Sequence, residues 1–381
     1  VTFATRDKVD IITRPPEKRG FTKLDIDLPT GHVRQLDGVR GLAITLVLVF
    51  HCFAFRPWVR VTSFGWTGVD LFFVLSGFLI TGILLDSKSR PHCYRNFIVR
   101  RALRIFPLYY FALAAFFFFN LILHFGADDA GKLLPYLATY TQNIYFAFHG
   151  WLKDTGSAIN HFWSLAQEEQ FYLFWPLLVL SLKKKWLMRL CLLGISVSLA
   201  VRFIHPDYPF CYVFPLARMD SMFTGALAAV LIRSDRPLLN RVVLPLLILS
   251  GSAVAIGGIT GHHLNFHAPF FRHAGYTLID VFFGCVILLS LDRGTLFGGL
   301  LKSFFEQRWL VFLGKYSYGI YVYHWILFRA VFPQCFEHLK SYGVNLSVAS
   351  ALFVLLVIAL SVCSYQLLEK RFLDLKERLT G

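Results

Sequence analysis

The sequence predicts an all-α protein: a polytopic integral membrane helical bundle of about ten transmembrane helices, with both termini cytoplasmic. Three observations lead there. The 381 residues are 56% hydrophobic and only 16% charged, whereas an average soluble domain is about 25% charged. The apolar residues gather in runs of about 20, the length of a helix that crosses the hydrocarbon layer. Lys and Arg are rich in alternate connecting segments and sparse in the others, the asymmetry that orients a multi-pass protein.

Ten apolar segments lie near 38–56, 66–86, 105–125, 161–182, 186–204, 214–232, 242–260, 275–291, 309–330 and 345–367. The stretch 133–149, "LLPYLATYTQNIYFAFH", is aromatic but broken by polar residues. It is expected at the interface or as a re-entrant segment. With the N-terminus inside, the inner connections hold 28 Lys and Arg and the outer ones nine, with Lys315 inside a crossing. That bias places both ends in the cytoplasm and makes the number of crossings even. Residues 1–35 are polar and charged, and read as a cytoplasmic tail with no cleavable signal peptide. Residues 36–372 form the membrane domain, and 373–381 a second cytoplasmic tail. No internal repeat of the transporter kind is visible.

The net charge of +15 does not argue for a nucleic-acid partner, because the cations are distributed between apolar runs. The partner it implies is the lipid bilayer. Seven cysteines, at 52, 93, 191, 211, 285, 335 and 363, show no metal-ligand spacing. Most lie in apolar runs, where Cys is a small hydrophobe. A disulfide between Cys211 and Cys335 on the outer side is left open. The loop "GHHLNFHAPFFRH" carries His262, His263, His267 and His273 with no carboxylate and no regular spacing. No metal is expected there.

Ionisable groups inside membrane helices are costly and mark function. The first segment carries Arg40 at its inner edge and His51 eleven residues further on, about 16 Å along a helix. A lone His is by default a hydrogen-bonded core residue. The polar groups that arrive at matching depth favour a functional one. Asp70, near the outer end of the second segment, either orients the His51 imidazole or is a helix-end residue at the interface. Gly68, Ser76, Gly77 and Gly82 on that segment suggest close packing.

"INHFWSLAQEEQFYLFWP" opens the fourth segment and holds the most specific local signal. Glu168 and Glu169 are adjacent carboxylates about 100° apart on a helix, so one can face a cavity while the other takes a different partner. Ser164 shares the face of Glu168, and Ser164 and Tyr172 are candidate substrate contacts. Arg101 and Arg104, in "NFIVRRALRIF", share a helix face and with Arg40 make a phosphate clamp. Arg100 points elsewhere and is a positive-inside anchor. Arg218 and Asp220 read as a local ion pair. His324 lies among Tyr316, Tyr318, Tyr321 and Tyr323 and reads first as a hydrogen-bonded core histidine. Asp220 and His324 complete the set of candidate substrate contacts.

Six segments, "LDGVRGLAITLVLVFH", "GVDLFFVLSGFLI", "RRALRIFPLYY", "FWSLAQEEQFYLFWP", "RMDSMFTGALAA" and "SYGIYVYHWILF", resemble in order the acyltransferase-3 family of bacterial membrane acyltransferases. The resemblance runs from about Leu36 to Phe372. Arg40 and His51 match the family's arginine, ten spacers and histidine. Arg101 and Arg104 match its paired arginines, and Ser164, Glu168 and Glu169 its serine and glutamates. "AQEEQ" departs from the family's commoner serine and valine, and "YQLLEKRF" lacks a frequent proline.

The resemblance implies O-acyl transfer, often of acetyl, from acyl-CoA to a hydroxyl of a carbohydrate or glycosylated acceptor at the cytoplasmic (inner) membrane. Arg40, Arg101 and Arg104 would hold the phosphates of acyl-CoA. His51 would serve as general base or as a covalent acyl carrier, with Asp70, Glu168 and Glu169 supporting catalysis. The rival reading is a transporter or flippase of a sugar or lipid-linked substrate, using the His and Glu residues as a proton relay.

Overall fold

The computed structural model describes residues 24–26, 31–53, 62–123, 128–234, 236–260 and 266–380. Most of the expected N-terminal tail, the outer-loop residues Arg56 and Arg60, and His262 and His263 lie outside the described residues. Each of the ten apolar segments holds a helix. These are α1 (Arg34–Phe53), α2 (Gly68–Ser87), α3 (Cys93–Leu123), α4 (Trp163–Ser181) and α5 (Lys184–Ile204), then α6 (Asp220–Leu231), α7 (Arg236–Thr260), α8 (Tyr276–Ser290), α9 (Arg308–Ala330) and α10 (Leu346–Ser364). Among the described residues, seven helical spans are long and apolar enough to cross a membrane: those of α1, α2, α3, α5, α7, α8 extended back to Phe271, and α10. Two more, α4 and α9, have the length but carry polar side chains of the site, and α6 is only 12 residues long.

The stretch 133–149 folds as two short helices, Leu134–Ala138 and Gln142–His149, neither long enough to cross. Beyond α10 the chain continues as α11 (Lys370–Thr380), which lies along α3. Near the start of the described chain, the Asp25 amide donates to Asp292 Oδ1 at 2.6 Å and its carbonyl accepts from the Arg293 amide at 2.8 Å.

The core forms where α1 and α2 meet α6 and α9. The apolar span of α2 is 72% buried, against 28% for α5, α7 and α10, so α2 is central and the other three are peripheral. Missing side chains allow the tight contacts. Gly41 of α1 abuts the Leu310 carbonyl of α9, and Gly77 of α2 abuts the Met222 carbonyl of α6. A Cβ at either position would overlap that carbonyl, the reason small residues line membrane helix contacts.

Two fully buried ion pairs hold α2, α6, α5 and α8 together. Arg218, just before α6, pairs with Asp70 of α2. Arg202 of α5 meets Asp220 of α6 at 2.7 Å, and Thr277 of α8 donates to the same carboxylate at 2.5 Å. The expected local Arg218–Asp220 pair is therefore corrected. Arg218 ends a short helix and Asp220 begins α6, and each finds its partner on another helix. All seven cysteines are free; Cys211 is buried and Cys335 exposed, which disposes of the disulfide.

Candidate active site

Three cavities adjoin in series through the bundle. The first is a basic vestibule of about 530 Å³ beside α3, bordered by Arg90, Arg100, Arg101 and Arg104. Its one carboxylate, Asp86, is held by Arg233 at 2.6 Å. The second is a polar chamber of about 90 Å³ lined by Arg40, Arg101, Arg104, Ser76, Ser164, Glu168, Glu169 and Tyr172. The third is an aromatic chamber of about 340 Å³ around His51. Arg101 and Arg104 belong to the walls of the first two cavities, and Val69 and Tyr321 to those of the last two.

Helix geometry accounts for this sharing. Arg101 and Arg104 are three apart, so they project from one face of α3. Arg100 borders only the vestibule. Arg40 is engaged, donating to Asp37 Oδ1 at 2.7 Å. Arg101 lies over the rings of Phe97 and Tyr172, at 5.7 and 5.3 Å from their centroids. Neither Arg101 nor Arg104 has a hydrogen bond or ion pair to another described residue. Two guanidiniums that form no contact ion pair beside a cavity are poised for an anion from outside the protein.

In the polar chamber, Tyr172 Oη donates to Ser76 Oγ at 3.1 Å, and Ser76 Oγ donates to Glu168 Oε1 at 2.6 Å. Both Glu168 and Glu169 line this chamber, so the expected division of the two carboxylates between cavity and distant partner is not seen. Glu169 Oε1 is buried with no hydrogen-bond partner among the described residues. Ser164 and Tyr321 hydrogen-bond to each other at the divide toward the aromatic chamber. Both hydroxyls also reach the His161 carbonyl, at 3.2 and 3.0 Å.

His51 lines the aromatic chamber with Trp66, Trp151, Trp163, Trp325, Tyr208, Tyr212 and Phe266. Its ring packs against Trp325, with centroids 4.4 Å apart. Its Nδ1 lies 3.1 Å from His324 Nε2. The carboxylate expected to orient His51 is elsewhere: Asp70 is engaged by Arg218 and lines none of the three cavities. Its neighbour Val69 faces both chambers, and one residue further along a helix turns about 100° away. Asp220, committed to Arg202, and His324, fully buried behind His51, also line none of them. Neither therefore stands where a substrate held in these cavities would touch it.

Several site residues went unnoticed in the sequence. Ser76 reads there as a packing residue but is the hydrogen-bond partner of Glu168. Asn160 and His161 precede the glutamate motif directly and line the aromatic chamber. Their polarity within an aromatic run was the available signal. Asn160 Oδ1 and His161 Nδ1 are buried with no partner among the described residues. No group of three or more His, Cys, Asp or Glu among the described residues could hold a metal ion.

The acyltransferase-3 family model, an acyltransferase domain, matches residues 33–366. The chain belongs to the acyltransferase-3 family. The match takes in all three cavities except Gly31 and Leu373 at the edge of the vestibule. Family membership supplies the reaction class, acyl transfer. Among relatives, the chain is 27% identical over 326 residues to the peptidoglycan O-acetyltransferase OatA of Listeria monocytogenes, covering 79% of this chain and 50% of that protein. It is 25% identical over 332 residues to the O-acetyltransferase OatA of Staphylococcus aureus, covering 81% and 53%. The chain thus spans about half the length of these curated relatives. No solved structure matches it.

Proposed function

We propose that this chain is a membrane O-acyltransferase that moves an acyl group, most simply acetyl, from cytoplasmic acyl-CoA to a hydroxyl of a carbohydrate acceptor, with His51 as general base. The observation that carries the reading is the series of adjoining cavities from the unpaired Arg101 and Arg104 to His51. Its two ends are chemically opposite. The guanidinium end offers donors to phosphate oxygens. The aromatic end offers ring faces for sugar C–H surfaces.

In this reading ten helices cross the cytoplasmic membrane, both termini are cytoplasmic, and the vestibule faces the cytoplasm. The long arm of acyl-CoA passes the polar chamber beside Ser76 and Glu168, which brings its thioester to the divide at Val69 and Tyr321. The acceptor oxygen attacks the thioester carbonyl carbon while its proton passes to His51. The C–S bond breaks, the proton moves on to the departing sulfur, and coenzyme A leaves as the thiol. A positioned general base contributes about 10²–10⁴-fold. Because a relative is named for peptidoglycan O-acetylation, a cell-wall glycan is the first acceptor to try.

The test uses purified protein in lipid nanodiscs with radiolabelled acetyl-CoA and soluble glycan fragments. Label transfer that disappears in a folded His51→Ala variant supports the proposal. Transfer that survives that substitution removes His51 as base. Uptake of glycan into vesicles without acetyl-CoA would favour a transporter.

A further inference from the structure

We infer that His324 is the residue that orients the base. It is an uncharged hydrogen-bond acceptor that holds the Nδ1 hydrogen of His51 and leaves the His51 Nε2 bare for the acceptor hydroxyl. The inference rests on the general-base reading of His51 and deepens it.

The hydrogen positions follow from the neighbours. His324 Nδ1 lies 2.7 Å from the Tyr321 carbonyl oxygen and 3.2 Å from that of Ile320. Carbonyl oxygens only accept, so Nδ1 carries the hydrogen. A neutral imidazole has one N–H, so His324 Nε2 is a lone pair. That lone pair faces His51 Nδ1 at 3.1 Å, and one of the two nitrogens must donate. Only His51 can. Its single hydrogen is therefore on Nδ1, the Val47 carbonyl one turn earlier being a further acceptor for the ring, and its Nε2 is the free base. His51 borders the aromatic chamber and His324 does not, so His324 acts through His51 and is a positioning residue.

The surroundings reinforce this arrangement. A second hydrogen on His324 Nε2 would point at the His51 Nδ1 hydrogen, which keeps His324 neutral. His161, with its ring 5.3 Å from that of His324, turns its own Nε2 toward the Val322 carbonyl at 3.3 Å. Asp70, the carboxylate of the neighbouring helix, is engaged by Arg218. A neutral orienter sets the direction of the base without anchoring the positive charge formed on it. When His51 takes the hydroxyl proton at Nε2, its Nδ1–H bond to His324 becomes charge-assisted. With no carboxylate to retain it, the proton passes on to the departing sulfur and His51 returns to the same tautomer.

Solid-state ¹⁵N NMR of histidine-labelled protein in lipid, with His51→Gln as the subtraction partner, reads the tautomer without any substrate. The expected His51 signals are a protonated Nδ1 and a bare Nε2. A hydrogen on Nε2 overturns the inference. Kinetics give the second readout. His324→Leu is expected to lower kcat by about 100-fold with both KM values within about twofold of wild type. His324→Gln returns an acceptor oxygen near the lost Nε2 and is expected to recover about tenfold of that loss. Wild-type kcat in His324→Leu, or a His324→Gln variant no better than it, also overturns the inference. Normal turnover by His51→Gln would instead defeat the general-base reading, while the tautomer signal would still report whether His324 orients the ring.

Discussion

Two groups of charges inside this bundle both combine arginines with carboxylates and differ in how those charges are held. The first, Asp70, Arg202, Arg218, Asp220 and Asp280, is fully buried, spans four helices and lines none of the three cavities. Its ionic members pair with each other, and Asp280 accepts from Ser221 at 2.8 Å. The second, Arg101, Arg104, Glu168 and Glu169, is partly exposed and borders the polar chamber, and neither arginine forms a contact ion pair among the described residues. Burial goes with pairing here: the paired ions are fully buried, and the four at the chamber are partly exposed to it. The separation comes from pairing and from access to a cavity. A paired charge cements helices, whereas a charge held open at a cavity wall keeps its interaction free energy for a ligand.

The comparison can be broken most directly at His51. His51→Ala should lower acyl transfer by about 10²–10⁴-fold, with the melting temperature in detergent unchanged. A large loss of stability would move His51 to the structural side. Next in size, Asp70→Asn leaves Arg218 buried and without its anion. It should destabilise the protein by about 3–5 kcal/mol, read as a lower thermal midpoint. Replacing both partners, Asp70→Leu with Arg218→Met, should recover much of that loss.

The Arg101→Gln and Arg104→Gln pair should behave in the opposite way. The thermal midpoint should hold, because no ion pair is broken, while KM for acetyl-CoA rises by about 10–100-fold. A midpoint that collapses without a change in KM would place these arginines with the structural group. The smallest effect is expected from Ser76→Ala, which removes the hydroxyl donating to Glu168 and should cost about tenfold or less in kcat/KM. Ordinary turnover kinetics would show it.

Part of the site was legible because depth can be counted along a helix. The rise per residue places Arg40 and His51 toward opposite ends of α1, and the structure puts them at two different chambers. The three-residue spacing of Arg101 and Arg104 placed them on one face, where both cavities find them. Rotation about the helix axis was not legible. Counted along its helix, Asp70 fits either a partner of His51 or a helix-end residue at the interface, yet it faces Arg218. On a helix as apolar and as enclosed as α2, hydrophobic periodicity marks no preferred face, so rotation cannot be read from pattern. Ser76 was missed for the same reason, since a small residue at a helix contact looks alike whether it packs or donates.

By itself the sequence determined the class of protein, the positions of its helical segments and the spacing of ionisable groups along each helix. These follow from run length, from the cost of charge in hydrocarbon and from the fixed rise of a helix. Only the tertiary structure decided which charges pair, which remain open at a cavity, and that the neighbour of His51 is a second histidine. Those outcomes depend on how each helix turns about its axis as glycine contacts and buried ion pairs bring the helices together. That is a property of the packed bundle and of no single segment.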